Sequence, residues 1–348
     1  MAKTRIITSE AVDPGEEQVH SSLRPTRIGE YVGQPKLIEK LSISLAAVKQ
    51  RGEAMEHVLL HGPPGLGKTT LSHVIANELG THLTVTAGPA LTKGSDLVGT
   101  LTKLQKHDVL FIDEVHRLPV ALEEYLYSAM EDFKIDFVVD SGMHAKTITL
   151  PLQPFTLIGA TTRAGLLSGP MRSRFGITHH LDFYSEDELL TILRRSARLL
   201  GLGERGLEPP LRTIAQRSRG TPRVANRLLR RVRDYAQIKR SGAFDEQTVD
   251  QALALEGVDA LGLDELDRQY LRTIAEVYRG GPVGLEAVAA TLNEDAGTLE
   301  DMVEPYLLQL GFLARTRRGR QLTQRAADHL GLALAICEAN GEGLFSGD

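Results

Sequence analysis

A glycine-rich stretch, Gly62–Thr69, is the segment whose residue types and spacing most clearly predict chemistry. Its letters Gly-Pro-Pro-Gly-Leu-Gly-Lys-Thr fit the pattern Gly-x4-Gly-Lys-Thr completely. Gly65 and Gly67 let backbone N–H groups turn inward around phosphates, and a helix that begins here adds partial positive charge. In such a loop Lys68 reaches the β- and γ-phosphate oxygens. The segment therefore predicts a binding site for a nucleoside triphosphate.

A second chemical feature is the apolar run Val109–Ile112, which ends in Asp113 and Glu114. In open α/β sheets the carboxyl ends of strands are where ligands bind. We expect Asp113, through water, and the Thr69 hydroxyl to hold Mg²⁺, and Glu114 to polarise the attacking water as general base. Adjacent acids alone often only cap a helix, but beside a complete P-loop they indicate hydrolysis. An Asn-Lys-x-Asp guanine-reading motif does not occur, which favours ATP over GTP.

The elements that must position these residues follow from the hydrophobic pattern between about Leu23 and Tyr184. Short apolar runs alternate there with helical stretches, which is typical of a mostly parallel sheet buried on both faces. The predicted fold class is therefore α/β, with a P-loop parallel-sheet domain. The four runs are His57–Leu60, His82–Thr86, Val109–Ile112 and Phe155–Gly159.

One stretch, 134–150, departs from this rhythm because apolar and polar residues alternate on both sides of Asp140-Ser141-Gly142. Alternation around a turn signal predicts a β-hairpin inserted between two core strands. Two interpretations stay open. The hairpin either covers the edge of the sheet, or it presents apolar side chains outside the core as a docking surface.

The rest of the chain is predicted to form two further domains. Ser185–Glu188 is a capping box, and Thr221-Pro222 begins another helix, so a small all-helical domain follows the sheet. Three short helices and a hairpin with Gly319 at its tip then predict a winged helix. The predicted limits are 1–184, with 1–20 as a flexible tail, then 185–257, then 258–348.

Composition excludes several classes of protein. The formal net charge is −5, so a broad basic surface is excluded and any nucleic-acid contact must be local. The lone Cys337 rules out an internal disulfide and is in keeping with a reducing cytoplasm, and no zinc-ligand spacing occurs. The first residues have no apolar signal stretch, and no run is long enough to span a membrane.

A local basic cluster occurs on the predicted wing. From Asp259 onward the chain has 8 Arg or Lys against 15 Asp or Glu, a net of −7, yet four arginines crowd the hairpin. Such a cluster is typical of an element that contacts phosphates, the alternative being a solvated hairpin. The wing carries no aromatic side chain to stack on bases, so we expect backbone contacts that are largely independent of sequence.

These motifs together resemble those of a known family. Gly62–Thr69, Asp113-Glu114, Gly159–Arg163, Arg172–Gly176 and Gly220–Arg223 occur in the order found in AAA+ ATPases. More narrowly the chain, from about Leu23 to Leu332, resembles the RuvB family, the motors of Holliday-junction branch migration. The segments of that type are Leu23-Arg24-Pro25, Glu30–Gln34, Met130–Phe133, Leu157–Arg163, Glu304–Leu307, Gly311–Leu313 and Arg318–Arg320.

The resemblance implies roles for particular residues. Thr162 would sense the γ-phosphate, Arg174 would be an arginine finger acting in the next subunit's site, and Arg223 would be the second sensor. Without the resemblance, Thr162 would be interpreted as an ordinary strand-end threonine. Arg174 would belong to a surface ion pair, and Arg223 to a solvated helix face. Arg315 and Arg320 would contact DNA. The implied nucleotide-binding residues are Leu23, Arg24, Gly65, Gly67, Lys68, Thr69, Thr70, Glu131, Asp132, Phe133, Tyr184 and Arg223.

The resemblance also implies a function and partners. It implies an ATP-hydrolysing homohexameric ring around duplex DNA at four-way junctions, with a RuvA-like protein on the hairpin 134–150 and a RuvC-like resolvase in the wider complex. The hairpin tip Ser141–Lys146 departs from the family's pattern, which puts the fine chemistry of that contact in doubt. Two rivals stay open: a clamp loader or other AAA+ remodeller, and an ATP-switched DNA-binding regulator.

Overall fold

The computed structural model describes residues 22–138, 147–203 and 206–332 of the 348. The chain forms two compact units, which divide between Ala252 and Leu253. The predicted flexible tail 1–20 and the hairpin tip 141–146 lie outside the described residues. Within the described residues, no helix combines the length and apolar character that a membrane span requires.

The first unit is built on a sheet of parallel strands. In chain order its strands are β1 Val58–His61, β2 Leu83–Ala87, β3 Val109–Asp113, β4 Lys134–Val138, β5 Thr147–Pro151, β6 Thr156–Thr161 and β7 Ile177–His180. The five-stranded sheet has the order β2-β3-β6-β1-β7. The four predicted runs are confirmed as β1, β2, β3 and β6. The edge strand β7 was missed, because three of its four residues are polar and alternate residues are exposed.

The register of the sheet brings its functional ends together. Leu60 of β1 pairs with Ala160 of β6, and Ile112 of β3 pairs with Gly159. Because these strands are parallel, the segments that follow β1, β3 and β6 leave the sheet at one edge. All six residues of β6 are buried, so the middle of the sheet is rigid core.

The helices of the first unit pack on the sheet or form the lid beyond it. The predicted capping box is present: the Ser185 hydroxyl accepts from the Glu188 backbone N–H at 3.3 Å, and Glu188 accepts from the Ser185 N–H at 2.8 Å. The helices are α1 Pro35–Arg51, α2 Lys68–Leu79, α3 Gly94–Leu101, α4 Val120–Asp132, α5 Gly169–Ser173, α6 Glu186–Leu199, α7 Glu208–Gln216, α8 Pro222–Lys239 and α9 Glu246–Leu255.

The predicted hairpin 134–150 is confirmed in its strands. β4 and β5 pair antiparallel, with Ile135 opposite Leu150, in a two-stranded sheet separate from the main one. Ile135 is buried in the core beside α4, whereas 40% of Ile148 is exposed. The hairpin is therefore anchored through β4 and presents part of β5 to solvent.

The second unit is helical with one hairpin. Its core gathers around Tyr270, Ile274, Leu307 and Phe312. The elements are α10 Glu265–Arg272 with a π turn Thr273–Val277, α11 Leu285–Leu292, α12 Ala296–Thr298 with a π turn Leu299–Val303, α13 Glu304–Gln309, β8 Leu313–Thr316, β9 Gly319–Leu322 and α14 Gln324–Leu330.

The hairpin β8–β9 corrects one expectation. Gly319 is not at the tip: it begins β9 opposite Thr316, and the turn is Arg317-Arg318. The glycine has φ +134°, and a Cβ there would collide with the backbone of Val283. That approach is needed because Val283 exchanges two backbone hydrogen bonds with Arg320, at 2.9 and 2.7 Å. The hairpin is therefore fixed to the helical part of its unit.

Candidate nucleotide site

A cavity of about 300 Å³ opens where β1 and β3 end. The residues around it come from the segment before α1, the P-loop, the end of β3 and the lid helices α6 and α8. The predicted residues that line it are Leu23, Arg24, Gly65, Gly67, Lys68, Thr69, Thr70, Asp113, Glu114, Tyr184 and Arg223. Residues from distant parts of the sequence, from Leu23 to Arg223, thus line one cavity.

Lys68 lies at the first position of α2, with 7% of its surface exposed. Its Nζ donates to the carbonyl oxygens of Gly62 at 2.8 Å and Pro63 at 2.9 Å, both within the loop. Burial lowers the pKa of Lys68 to about 8, although the carboxylates of Asp113 and Glu114 act in the opposite direction. The negative charge of an incoming phosphate would stabilise the charged form of this buried ammonium group.

Glu114 is the best placed base in the cavity. Its backbone is left-handed, with φ 48°, and its N–H donates to Asp113 Oδ1 at 3.0 Å. The carboxylate oxygen Oε2 lies 3.4 Å from the Thr162 hydroxyl, which donates to it, and 3.1 Å from His116 Nδ1. Burial, and then the charge of Asp113, raise the pKa of Glu114, which makes its carboxylate a stronger proton acceptor than an ordinary glutamate.

Two tyrosines form the wall on the side of Leu23. The Tyr184 hydroxyl lies 3.1 Å from both the Leu66 carbonyl and the Tyr31 hydroxyl, so it donates to the first and accepts from the second. Burial raises the pKa of Tyr31 to about 12. The Tyr184 ring fits because Gly33, with φ +85°, has no Cβ to collide with it. This wall is rigid and partly apolar, which suits a planar base.

The lid holds the segment that carries Leu23 and Arg24. From α6, Arg195 donates to the carbonyl of Leu23 at 2.9 Å and to that of Arg24 at 3.1 Å. Arg195 also lies 3.5 Å from Glu30. Sequence reasoning missed this arginine because it is 172 positions from Leu23 on an ordinary amphipathic helix. Ile192 and Asn226, also from the lid helices, line the cavity and were missed in the same way.

Arg174 does not line the cavity of its own chain. Its guanidinium donates to the Pro170 carbonyl at 2.8 Å and to Glu131 at 3.3 Å, and it stacks 4.3 Å above the Tyr127 ring. Beneath it, Tyr127 and Ser168 both hydrogen-bond to the buried Glu123. These contacts hold the Arg174 guanidinium in one position at the surface between α4 and α5.

The predicted nucleotide residues Glu131, Asp132 and Phe133 also lie away from this cavity. They end α4 and lead into β4, where Phe133 packs edge-on against Phe155 at 6.1 Å. The structure brings Glu131 to Arg174 rather than to Lys68. The predicted site residues therefore form two groups on one chain, one around the P-loop and one around Arg174.

The predicted DNA contacts, Arg315 and Arg320, lie directly opposite each other on β8 and β9. They are not freely solvated, because both pair with the buried carboxylate of Glu304. Arg317 and Arg318, at the turn, are exposed and make no ion pair within the described part of the chain. The wing is thus basic, but half of its arginines are tied to its core.

The P-loop between β1 and α2, the acidic pair ending β3, the strand order and the helical lid define an AAA+ P-loop ATPase. Family models for the P-loop domain of the Holliday junction DNA helicase RuvB, the RuvB AAA lid domain and the RuvB C-terminal winged helix domain match residues 23–181, 184–259 and 260–331. The chain belongs to the RuvB family.

Individual relatives agree with this assignment. A Holliday junction branch migration complex subunit RuvB from Desulfosudis oleivorans is 57% identical over 311 residues, which cover 89% of this chain and 90% of that protein. The solved Thermotoga maritima RuvB Holliday junction branch migration motor is 51% identical, with a TM-score of 0.81 over 90% of this chain and 99% of that one. A proline-to-glycine mutant of the same protein has a TM-score of 0.82.

Proposed function

We propose that the chain is an ATP-driven motor that moves duplex DNA through Holliday junctions during recombination and recombinational repair. It would act in the cytoplasm as a homohexameric ring, with a RuvA-like junction-binding partner and a RuvC-like resolvase in the wider complex. The single observation that carries this proposal is the division of the site. The cavity contains the P-loop, Asp113 and Glu114, whereas Arg174 is held elsewhere on the chain.

Within one chain, the cavity residues divide the work of binding and hydrolysis. Lys68 and the loop backbone hold the phosphates of ATP, and Arg223 from the lid lines the same cavity. Glu114 takes the proton of the attacking water, and Thr162 orients that carboxylate. Leu23, Arg24 and Tyr184 bound the side where the base would lie.

Mg²⁺ fits the donor set that the cavity offers. Thr69 and Asp113 both line it and supply oxygen ligands, and one hydroxyl with one carboxylate is the sparse protein set that leaves room for waters and phosphates. When bound, the ion would neutralise charge on the phosphate oxygens. Within the described residues no cluster of three or more His, Cys, Asp or Glu offers a metal cage of its own.

Arg174 would complete the site of a neighbouring subunit. A cation near the γ-phosphate lowers the barrier by stabilising the charge that develops during transfer. Because Glu131 pairs with Arg174, Glu131, Asp132 and Phe133 would belong to the same donated surface. Such an interface is heterologous, head to tail, and closes into a ring.

DNA binding and docking of the partner protein would be carried out by two other elements. The arginine-rich hairpin β8–β9 would contact the DNA backbone, with Arg315 and Arg320 as its contacts, and the partly exposed hairpin β4–β5 would receive the RuvA-like partner. We assign these functions to domains at 1–184, 185–257 and 258–348.

A branch-migration assay on a synthetic four-way junction tests the proposed function. With MgATP and a RuvA-type protein, the chain should convert the junction to products, and Glu114→Gln should abolish conversion. Vigorous ATP hydrolysis without conversion, both with and without the RuvA-type protein, would instead favour a remodeller that acts on another substrate.

A further inference from the structure

The second unit contains a fully buried carboxylate, Glu304, at the start of α13. Its Oε1 accepts from the Tyr270 hydroxyl at 2.6 Å and from Arg320 Nε at 2.9 Å. Its Oε2 accepts from Arg315 Nε at 2.8 Å and also from Arg315 Nη2. A buried carboxylate with donors on both oxygens is held in one position.

The two arginines that Glu304 holds are themselves fixed through the backbone. Arg315 and Arg320 are register partners across the hairpin, and Arg320 is bonded on its other side to Val283. The backbone of each arginine is therefore fixed by its strand, and its guanidinium is fixed by the Glu304 carboxylate. Burial, reinforced by the hydrogen bond and charge of Glu304, raises the pKa of Tyr270, so this hydroxyl remains a donor.

Part of each arginine stays available to a ligand. An arginine has five N–H donors, and Glu304 occupies those on Nε and Nη2. The Nη1 groups of both make no hydrogen bond within the described part of the chain, and 43% of the Arg315 side chain and 20% of the Arg320 side chain are exposed. These unoccupied donors belong to two residues that lie opposite each other on one hairpin.

We propose that Glu304 is a positioning residue that presents Arg315 and Arg320 as one preassembled pair to the phosphate oxygens of duplex DNA. The inference rests on the proposed DNA-binding role of the hairpin. Charge alone argues against an acid here, because a carboxylate beside phosphate-binding arginines repels phosphate. A lower entropy cost of binding compensates for this repulsion. Glu304 already holds the two flexible side chains in place, so neither must be immobilised when DNA binds.

The neighbouring Glu300 provides a matched control. It lies 3.9 Å from Arg315 and 3.7 Å from Arg320, so it adds the same negative charge near the same cations. Its side chain is 35% exposed, and its ion pairs with the two arginines are longer than those of Glu304. Neutralising it removes repulsion without releasing either guanidinium from Glu304.

The experiment measures binding of the full chain to a labelled duplex of about 30 base pairs by fluorescence anisotropy, over a range of salt. Glu304→Gln should weaken binding about fivefold and lower the salt slope by about one, because at least one phosphate contact is lost. Glu300→Gln should bind as tightly as the parent protein or more tightly. The proposal is overturned if Glu304→Gln binds as tightly as Glu300→Gln.

Two double variants of the arginines provide further tests. If thermal unfolding shows that Glu304→Gln does not fold, Arg315→Lys with Arg320→Lys replaces it; both charges remain but the forked geometry is lost, so binding should again weaken, and unchanged binding would refute the inference. Arg315→Ala with Arg320→Ala tests the underlying function. If that pair binds normally, the hairpin does not contact DNA. If it binds poorly while Glu304→Gln matches Glu300→Gln, only the positioning role fails.

Discussion

At the scale of residues, the cavity separates nucleotide binding from hydrolysis. Lys68 is buried among carbonyl oxygens that an incoming phosphate can replace, whereas Glu114 lies at the end of β3 with a raised pKa. We propose that Lys68 acts on the ground state, by binding phosphate, and that Glu114 acts only when water attacks. Substitutions at the two positions should therefore affect different steps.

Glu114→Gln should bind ATP with an affinity close to that of the parent protein and hydrolyse it at least about a hundredfold more slowly. The amide keeps the shape of the side chain and can still accept from Thr162, but it cannot take a proton. Binding is measured with a fluorescent ATP analogue, and turnover by phosphate release. Turnover near the parent rate would mean that another group is the base.

Arg195→Ala should weaken nucleotide binding about fivefold and leave the maximal rate nearly unchanged. The arginine donates to the carbonyls of Leu23 and Arg24, and two hydrogen bonds from a partly exposed charged donor contribute modestly. The matched control is Arg194→Ala on the same helix; among the residues that the structure describes, Arg194 forms its ion pair with Glu208, at the surface. Equal affinities for the two variants would contradict this role.

At the scale of elements, a buried histidine joins β1 to β6 and α4. His57 Nδ1 accepts from the Leu157 backbone N–H at 2.8 Å, and Nε2–H donates to the Met130 carbonyl at 3.1 Å. This pattern requires the neutral ring, and burial lowers the pKa of His57 below its ordinary value of 6.5. The strand that delivers the P-loop is therefore held by a group that should stay uncharged.

The free energy of unfolding should fall as the pH drops below 6.5. In that range the unfolded chain binds a proton at His57 that the folded chain resists, so acid favours unfolding and the contribution returns as pH rises. His57→Gln cannot titrate and should give a flatter pH profile in denaturant unfolding. His82→Gln, at an exposed position before β2, serves as control. Identical slopes for His57→Gln and the parent protein would count against this account.

Elements with a local signal could be predicted from the sequence. The P-loop with its strand and helix, and the capping box at Ser185, depend on residues a few positions apart. β7 could not be predicted, because an edge strand with two histidines lacks the apolar run of a buried strand. Contacts between distant segments were also missed: Arg195 with Leu23, and Arg315 with Glu304, depend on packing that no local pattern records.

At the scale of the whole molecule, the P-loop cavity and Arg174 lie at separate places on one chain. Arg174 rests on Tyr127 and pairs with Glu131, at a surface separate from the cavity. The roles of Lys68, Asp113 and Glu114 were predicted from local sequence patterns, whereas the role of Arg174 had a single source, the resemblance to AAA+ ATPases. The geometry adds a second reason for proposing that Arg174 acts on another copy, because Arg174 does not line the cavity of its own chain.

We propose that ATP is hydrolysed at the interface between two subunits, with residues from both. A complementation assay of two inactive variants tests this proposal most directly. Glu114→Gln keeps Arg174, and Arg174→Ala keeps Glu114; alone, each should hydrolyse ATP at least about a hundredfold more slowly than the parent. In an equal mixture, random assembly pairs the intact halves at about a quarter of the interfaces. Phosphate release should then recover to about a quarter of the parent rate, whereas a mixture no more active than its components would contradict a shared site.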